Sequence, residues 1–148
     1  MPPDFFTEGW QTNAAIILGV DAEFKPVNDI TAGGKKISGN AQTRRHGVIL
    51  QHGTVLVDTD IRRMFQVLRV SDVKISDKLI QAVEDRVTNL RRYLGRRVGF
   101  DEARKALIKG FEDTFDVALQ PGELTEAETR LVKRLYDKYN SREWVYQR

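Results

Sequence analysis

The sequence has 148 residues, which is enough for one domain with a hydrophobic core. Its 24 lysines and arginines only slightly exceed its 21 acidic residues, so the net charge of +3 does not by itself indicate a nucleic-acid-binding protein. The absence of cysteine excludes disulfides, zinc thiolate sites and a thiol nucleophile on this chain. The apolar run at residues 14–20 is too short to cross a bilayer and follows no basic segment, so we expect a cytoplasmic protein without a signal peptide.

The first thirty residues predict a helix, then a short strand and a turn. Trp10, Ala14 and Ile17 recur at helical spacing. Residues 22–25 have the composition of a short strand, and Asp29 belongs to the turn that follows it. On its residue type alone, Asp29 is more often a turn cap than a ligand.

A basic, glycine-rich hairpin is predicted from Gly33 to Asp58, where GGKKISGNAQTRR runs into a β-rich apolar segment. Two lysines and two arginines lie in a span without an acidic residue, and the glycines allow backbone N–H groups to approach a ligand, so an anion is the natural guest. The pattern is not a Walker A loop, because Lys35 is followed by Lys36 and not by serine or threonine. A solvated hairpin tip is the more common role of such a composition.

The two strands of this hairpin carry different patterns. If the first strand is regular, Lys36 shares a polar face with Ser38 and Asn40. The second, residues 48–57, is nearly continuous in apolar and β-branched residues, which is typical of a strand covered on both sides. His52 interrupts this run, and on residue type alone it is more often a core histidine than a ligand.

Cap residues mark the starts of the helices predicted after the hairpin. Asp60 precedes the first segment with helical spacing, and Asp101 precedes the longest one. In the segment RVTNL, Thr88 or Asn89 is the expected cap. The segment at residues 125–128 has the spacing of a capping box.

The predicted fold class is α/β or α+β, with two portions. A composition shift at residues 70–76 separates a sheet portion, residues 1–69, from a helical portion, residues 70–148. The predicted sheet is small, and its hairpin leaves an exposed edge unless another chain or half-domain covers it.

Two segments resemble one protein family. KKISGNAQTRR followed by LQHGTVLVD is similar to the lysine loop and next strand of the lipoate-protein ligase and octanoyltransferase family, which shares its catalytic fold with biotin protein ligases. The tail KYNSREW resembles the KYxSxEW ending of many members. The resemblance implies a partial biotin/lipoate-ligase-like mixed β-sheet with flanking helices, followed by a helical C-terminal portion. It covers only the C-terminal half of the family, because nothing here resembles the family's glycine-rich RRxxGGGxVxH segment.

The resemblance also implies which residues carry the chemistry. Lipoate ligases form lipoyl-adenylate from ATP and lipoate and then transfer the acyl group to a lysine of a lipoyl carrier domain. Lys36 matches the family's catalytic lysine, which favours the charge that develops during attack on the phosphate. ATP and Mg²⁺ are the implied cofactors, lipoate is the implied substrate, and no residue is assigned as a metal ligand. The implied substrate- and cofactor-binding residues are Asp29, Ser38, Gly39, Ala41, Gln42, His52, Gly53 and Thr54.

We therefore expect a subunit or half of a lipoate-protein ligase. Its expected partners are a separate chain carrying the glycine-rich N-terminal half and a lipoyl carrier, either the glycine cleavage H protein or the 2-oxoacid dehydrogenase E2, with no nucleic acid or membrane. A non-catalytic docking half, a truncated remnant and an octanoyltransferase relative are the alternatives, although the chain cannot supply the cysteine that one octanoyltransferase branch uses. A nucleic-acid-binding hairpin is less favoured, because aromatic residues are not interleaved with its basic ones. The choice between lipoate and octanoate stays open.

Overall fold

The computed structural model describes residues 9–67 and 77–147. Over these residues the chain forms four strands and seven helices in two compact units, one up to Ala118 and the other from Leu119. The strands are β1 (Ala22–Lys25), β2 (Asp29–Ala32), β3 (Lys35–Arg45) and β4 (Val48–Val55). The helices are α1 (Trp10–Ile17), α2 (Ile61–Val67), α3 (Asp77–Glu84), α4 (Leu90–Leu94), α5 (Phe100–Phe115), α6 (Glu126–Asn140) and α7 (Arg142–Val145).

The four strands form an antiparallel meander in the order β1-β2-β3-β4. Gly33 and Gly34 connect β2 to β3 with φ angles of 54° and 74°, which glycine adopts readily. His46 and Gly47 connect β3 to β4, and both also have positive φ angles, as a two-residue hairpin turn requires. The predicted small sheet with flanking helices is confirmed, although its strands are antiparallel and not mixed.

A β-bulge changes the direction of the side chains in β3. Ile30 pairs with Ser38, whereas the next residue of β2, Thr31, pairs with Lys36, so Ile37 is an extra residue in β3. The extra residue shifts the alternation of side chains by one position. Ile37 and Ser38 are both buried, while Lys36 is partly exposed on the other face. The prediction that Lys36 and Ser38 share a face is therefore wrong, because it assumed a regular strand.

The core of the first unit lies between one face of the sheet and the helices α1, α4 and α5. Its buried apolar side chains are Ala15, Val20, Ala22, Ile30, Ala32, Ile37, Leu90, Val98 and Ala103. Leu90, Val98 and Ala103 follow residue 70. The helices α4 and α5 of the predicted helical portion therefore share one core with the sheet. The predicted boundary at residues 69 and 70 itself lies outside the described residues.

Local capping signals place most of the helix starts. The carboxylate of Asp60 accepts a hydrogen bond in the first turn of α2, and Asn89 caps α4, as predicted. Thr125 and Glu128 form the predicted capping box of α6. Asp101 does not cap α5, because the helix begins one residue earlier and Asp101 lies within its first turn.

Strand β4 is an exposed edge of the sheet. Val48, Ile49 and Leu50 are 65%, 42% and 58% exposed, although all three are apolar. The prediction of a strand covered on both sides is thus wrong for this chain. The prediction that the hairpin leaves an exposed edge is confirmed.

The second unit consists of α6 and α7. The rings of Tyr139 and Trp144 meet edge to face with centroids 4.7 Å apart, and the ammonium group of Lys138 lies 4.8 Å from the centroid of the Trp144 ring. These contacts hold α7 against the end of α6. Among the described residues of the whole chain, no helix is both long enough and apolar enough to cross a membrane.

Candidate functional site

The centre of the candidate site is the ion pair between Lys36 and Asp29. The Nζ atom of Lys36 lies 2.5 Å from Oδ1 of Asp29, and the two side chains are 39% and 35% exposed. Asp29 is the first residue of β2, and Lys36 lies beside the bulge of β3. Because neither group is fully buried, the ammonium group can reach a ligand that approaches this face of the sheet.

Gly39 provides the space in which the Lys36 side chain lies. A Cβ atom at Gly39 would lie 2.9 Å from both Cε and Nζ of Lys36, which is closer than real Cβ atoms approach their neighbours. Gly39 pairs with Asp29 on one side and with Thr54 on the other. The bulge and the glycine together therefore direct the lysine across the sheet toward the aspartate.

The backbone of Lys36 is held by a segment that follows α3. Its N–H donates to the carbonyl of Arg86 over 2.8 Å, and its carbonyl accepts from the N–H of Thr88 over 2.9 Å. Thr88 is only 5% exposed. The sequence indicated only a helix cap for this segment; Asn89 fills that role, and the bonds to Lys36 are a second role that no local signal predicts.

The neighbouring lysine has a different environment. The ammonium group of Lys35 donates to the carbonyl of Glu84 at the end of α3 over 2.8 Å. Lys35 therefore connects β3 to the end of α3, whereas the partly exposed ammonium group of Lys36 pairs with the carboxylate of Asp29. The two adjacent lysines are distinguished by these contacts.

The reverse face of the sheet carries a buried polar cluster. The hydroxyl of Ser38 donates to Gln11 of α1 over 3.4 Å, and Gln11 and Asn40 are each 4% exposed. A Cβ atom at Gly53 would lie 2.1 Å from Oδ1 of Asn40, so only glycine fits there. Of the predicted ligand-binding residues, Ser38 and Gly53 lie on this face, away from the ammonium group of Lys36. Gln42 lies on the same side and donates from Nε2 to Gln51 over 3.0 Å.

The remaining predicted residues share the face of Lys36. Ala41 pairs with His52, and Gly39 pairs with Thr54, so alternation places both pairs on the face that holds the lysine. His52 and Thr54 are exposed. His52 is therefore not a core histidine, which is what its residue type alone favoured, and its assignment to ligand binding stays a prediction.

The charged groups at the centre of this face are one ammonium group and one carboxylate. Asp29 is the carboxylate that pairs with Lys36, and the described residues contain no group of three His, Cys, Asp or Glu side chains that could hold a metal. Arg44 and Arg45 lie at the far end of the hairpin, paired with Ile49 and Val48. They are exposed and separated from Lys36 along β3.

Comparison with known proteins agrees with this arrangement. Residues 7–112 match the lipoyl protein ligase A/B catalytic domain. The chain belongs to this family. The segment matched includes Lys36, Asp29 and Gly39, as well as the buried face of the sheet and most of α5.

The relatives include both ligases and octanoyltransferases. The chain is 38% identical over 120 residues to octanoyltransferase LipM of Kyrpidia tusciae, covering 81% of this chain and 44% of that protein. The chain thus spans about half the length of the curated relatives it matches.

Two solved structures share the fold and about a third of the sequence. One is a bipartite lipoate protein ligase, studied with its E2 lipoyl domain, from Thermoplasma acidophilum. It superposes with a TM-score of 0.83 at 36% identity, over 95% of this chain and 55% of that chain. The other is a lipoate-protein ligase A bound with ATP, with a TM-score of 0.76 at 35% identity, over 95% of this chain and 57% of that chain.

Proposed function

We propose that this chain is the lysine-bearing half of a lipoate-protein ligase, forming lipoyl-adenylate from ATP and lipoate and passing the acyl group to a lysine of a carrier domain. One observation carries the proposal. Lys36 is held through its backbone, directed by a bulge and a glycine, and left partly exposed beside a single carboxylate.

The proposed role of Lys36 follows from the charges in adenylate formation. The lipoate carboxylate attacks the α-phosphate of ATP, an oxygen–phosphorus bond forms, and pyrophosphate leaves with the electron pair of the bond that breaks. Two anions must approach each other, and negative charge accumulates on the phosphate oxygens. A preorganised ammonium group lowers the barrier at this point, since it needs no reorganisation when the charge develops.

Asp29 is suited to bind Mg²⁺ as a single carboxylate ligand. This ion binds proteins through one or two carboxylates and completes its shell with phosphate oxygens and water. The single carboxylate beside Lys36 suits that pattern, and the ATP-bound relative supports the choice of nucleotide. Bound Mg²⁺ would neutralise phosphate charge, while Lys36 orients the reacting phosphate.

The remainder of the site is proposed to come from a separate chain carrying the glycine-rich half. The face that holds Lys36 and the apolar edge of β4 are both open in this chain, and the chain spans about half of its relatives. The Thermoplasma ligase is described as bipartite, but this chain covers only 55% of the one chain it matches. The Thermoplasma ligase is therefore divided into its two parts at a different point from the division that we propose for this enzyme.

The carrier that accepts the acyl group is proposed to be a lipoyl domain, either of a 2-oxoacid dehydrogenase E2 or of the glycine cleavage H protein. The Thermoplasma ligase, which was studied together with its E2 lipoyl domain, supports the first of these. A lack of activity would favour two other interpretations of this chain, a non-catalytic docking half or a truncated remnant of the same family.

Octanoyl transfer is the second candidate, because several relatives are octanoyltransferases. That route needs no ATP. A cysteine-linked acyl intermediate cannot form on this chain, which contains no cysteine. We favour the ligase for this reason.

Pyrophosphate release tests the proposal directly. This chain alone and this chain mixed with a candidate glycine-rich half are incubated with lipoate and ATP, and pyrophosphate is measured. We expect release only from the mixture. Acyl transfer from an octanoyl carrier without ATP would favour the transferase, and inactivity of the mixture with both donors would leave a docking half or remnant.

A further inference from the structure

An arginine-lined depression of about 760 Å³ lies on the first compact unit. It is open to solvent and is bordered by the loop after β4, by α4 and by the loop before α5. Its charged lining residues are Arg91, Arg92, Arg96, Arg97, Asp58 and Asp60. Four arginines and two aspartates thus line the depression, and Arg92 and Arg96 also pair with Glu84 and Glu102, at 3.6 and 2.8 Å.

Hydrogen bonds hold the backbone that borders this depression, although the arginine side chains themselves are long and flexible. Asn89 accepts from the N–H of Arg92 over 2.7 Å and donates to the carbonyl of Thr59 over 2.9 Å, which ties α4 to the loop after β4. Gly95 ends α4 with a φ of 65°, so the chain turns and Arg96 lines the same depression. The positions from which the arginines project are therefore fixed before any partner binds.

The guanidinium groups suit a broad acidic surface better than a small anion. Arg91 contacts both carboxylate oxygens of Asp58 at 3.1 and 3.0 Å, and Arg96 lies 2.8 Å from Glu102. A free phosphate would have to displace these carboxylates. Yet the side chains of Arg91 and Arg96 remain 57% and 48% exposed, so carboxylates spread over a protein surface can contact them without breaking the existing pairs.

The depression begins one residue from the segment that holds Lys36. Thr88 donates its N–H to the carbonyl of Lys36, and the next residue, Asn89, lines the depression. A carrier lysine has to reach an acyl group beside Lys36, so the body of the carrier must rest on a neighbouring surface. We infer that the arginine-lined depression is the docking surface for an acidic face of the protein that accepts the acyl group. This inference rests on the proposed function.

The test separates docking from adenylate formation. In the two-chain enzyme, Arg92→Glu combined with Arg97→Glu is expected to raise the KM for an apo E2 lipoyl domain by about tenfold or more, because like charges then face each other. Pyrophosphate release from ATP and lipoate without the lipoyl domain is expected to stay unchanged. The KM of the unmodified enzyme should rise with salt, and more steeply than that of the variant.

Matched controls keep the outcome interpretable. Arg130→Glu combined with Arg134→Glu makes the same charge change on α6 and is expected to leave the KM unaltered. If the glutamate pair unfolds, Arg92→Gln with Arg97→Gln is used, with a smaller expected rise. An unchanged KM in folded variants, or an equal rise in the α6 control, overturns the docking surface.

Two further outcomes are decisive. Inorganic phosphate that binds to the depression and is lost with the arginines, while the KM for the lipoyl domain stays constant, would overturn the inference in favour of a small anion. A lack of pyrophosphate release from the unmodified two-chain enzyme would overturn the proposed function, and the docking surface with it.

Discussion

At the scale of single residues, two adjacent lysines have different contacts, and we propose a chemical role for only one of them. Lys35 reaches the carbonyl of Glu84, whereas Lys36 pairs with Asp29 above a glycine. The two lysines are adjacent, so the composition of the surrounding segment does not distinguish their roles. The family motif selected Lys36, and its catalytic role stays a prediction.

Replacing each lysine in turn tests this difference. In the two-chain enzyme, we expect Lys36→Ala to lower pyrophosphate release by about 100-fold or more, the scale for removing one preorganised donor to developing charge. Lys35→Ala removes an identical charge next to it and should alter the thermal unfolding temperature more than the rate. Near-normal release by Lys36→Ala would remove this residue from the chemistry.

A single methyl group at Gly39 tests whether the position of Lys36 matters as well as its presence. Gly39→Ala places a Cβ atom 2.9 Å from Cε and Nζ of Lys36, so the flexible end of the lysine must move away from Asp29. We expect a folded chain of nearly unchanged unfolding temperature, with pyrophosphate release lowered about tenfold or more, since misplacement of about 1 Å has effects of this order. Gly99→Ala is the control, because a Cβ atom there meets no other atom within 4 Å. Equal rates for the two variants would contradict the positional role.

At the scale of secondary-structure elements, a single extra residue in β3 decides which side chains meet. Ile37 is the residue that breaks the alternation, and both it and Ser38 face the core. The sequence contains no sign of this bulge, because KKIS alternates as a regular strand does. The bulge depends on the pairing with β2 and on the bonds to Arg86 and Thr88, which are distant in sequence.

The packing of α1 on α5 depends on Gly110. A Cβ atom there would lie 2.5 Å from the carbonyl oxygen of Trp10 and 2.7 Å from the backbone nitrogen of Ala14. Gly110→Ala gains about 1 kcal/mol of helix propensity. Overpacking costs about 1–3 kcal/mol, and backbone atoms cannot rotate away. Because the crowded atoms belong to the backbone, we expect the upper part of that range, about 2–3 kcal/mol. After the gain in helix propensity, a net loss of about 1–2 kcal/mol remains in the free energy of unfolding, measured by urea denaturation.

A control variant distinguishes the packing effect from a general effect of alanine. Gly122→Ala also adds a methyl group, but nothing lies within 4 Å of the new atom. Its free energy of unfolding should not fall. If Gly110→Ala proves as stable as the unmodified chain, then α1 and α5 do not approach as closely as these distances require.

The capping box of α6 makes helix stability depend on pH. The hydroxyl and then the backbone N–H of Thr125 donate to Glu128, and these bonds hold the pKa of the Glu128 carboxyl below its ordinary value. A lowered pKa in the folded state means that the stabilisation is present above the ordinary pKa and is lost as the pH falls through the lowered one.

Carboxyl NMR titration of Glu128 in the full chain checks this. Thr125→Ala is expected to move the pKa of Glu128 back toward its ordinary value, because both the hydroxyl and the fixed amide geometry are lost. Thr129→Ala removes a hydroxyl from the same helix and serves as the control. A Glu128 titration that is identical in all three proteins would contradict the capping box.

At the scale of the whole molecule, the first unit has an exposed apolar edge. Val48, Ile49 and Leu50 form an apolar edge that a stable isolated sheet avoids. The prediction of a strand covered on both sides failed here, although the apolar pattern of β4 is plain. Among the described residues, none covers these side chains of β4, and under the proposed function a second chain supplies that cover.

Hydrogen exchange tests whether a second chain supplies the cover. When the candidate glycine-rich half is added, we expect the amides of β4 to exchange about tenfold more slowly, because open edge groups become paired or buried. The central strand β2 is already paired on both sides and is the internal reference. Equal exchange of β4 with and without the second chain would show that the edge lies elsewhere than in the interface.

The sequence by itself determined the features that neighbouring residues decide. These are the helix caps at Asp60, Asn89 and Thr125, the meeting of β3 and β4 in a hairpin, and the motif that singled out Lys36. Only the tertiary structure decided the bulge, the hydrogen bonds that the backbone of Lys36 donates to Arg86 and accepts from Thr88, and the exposure of β4. Those features depend on contacts between residues far apart in the chain, whereas caps and turns are satisfied within a few residues.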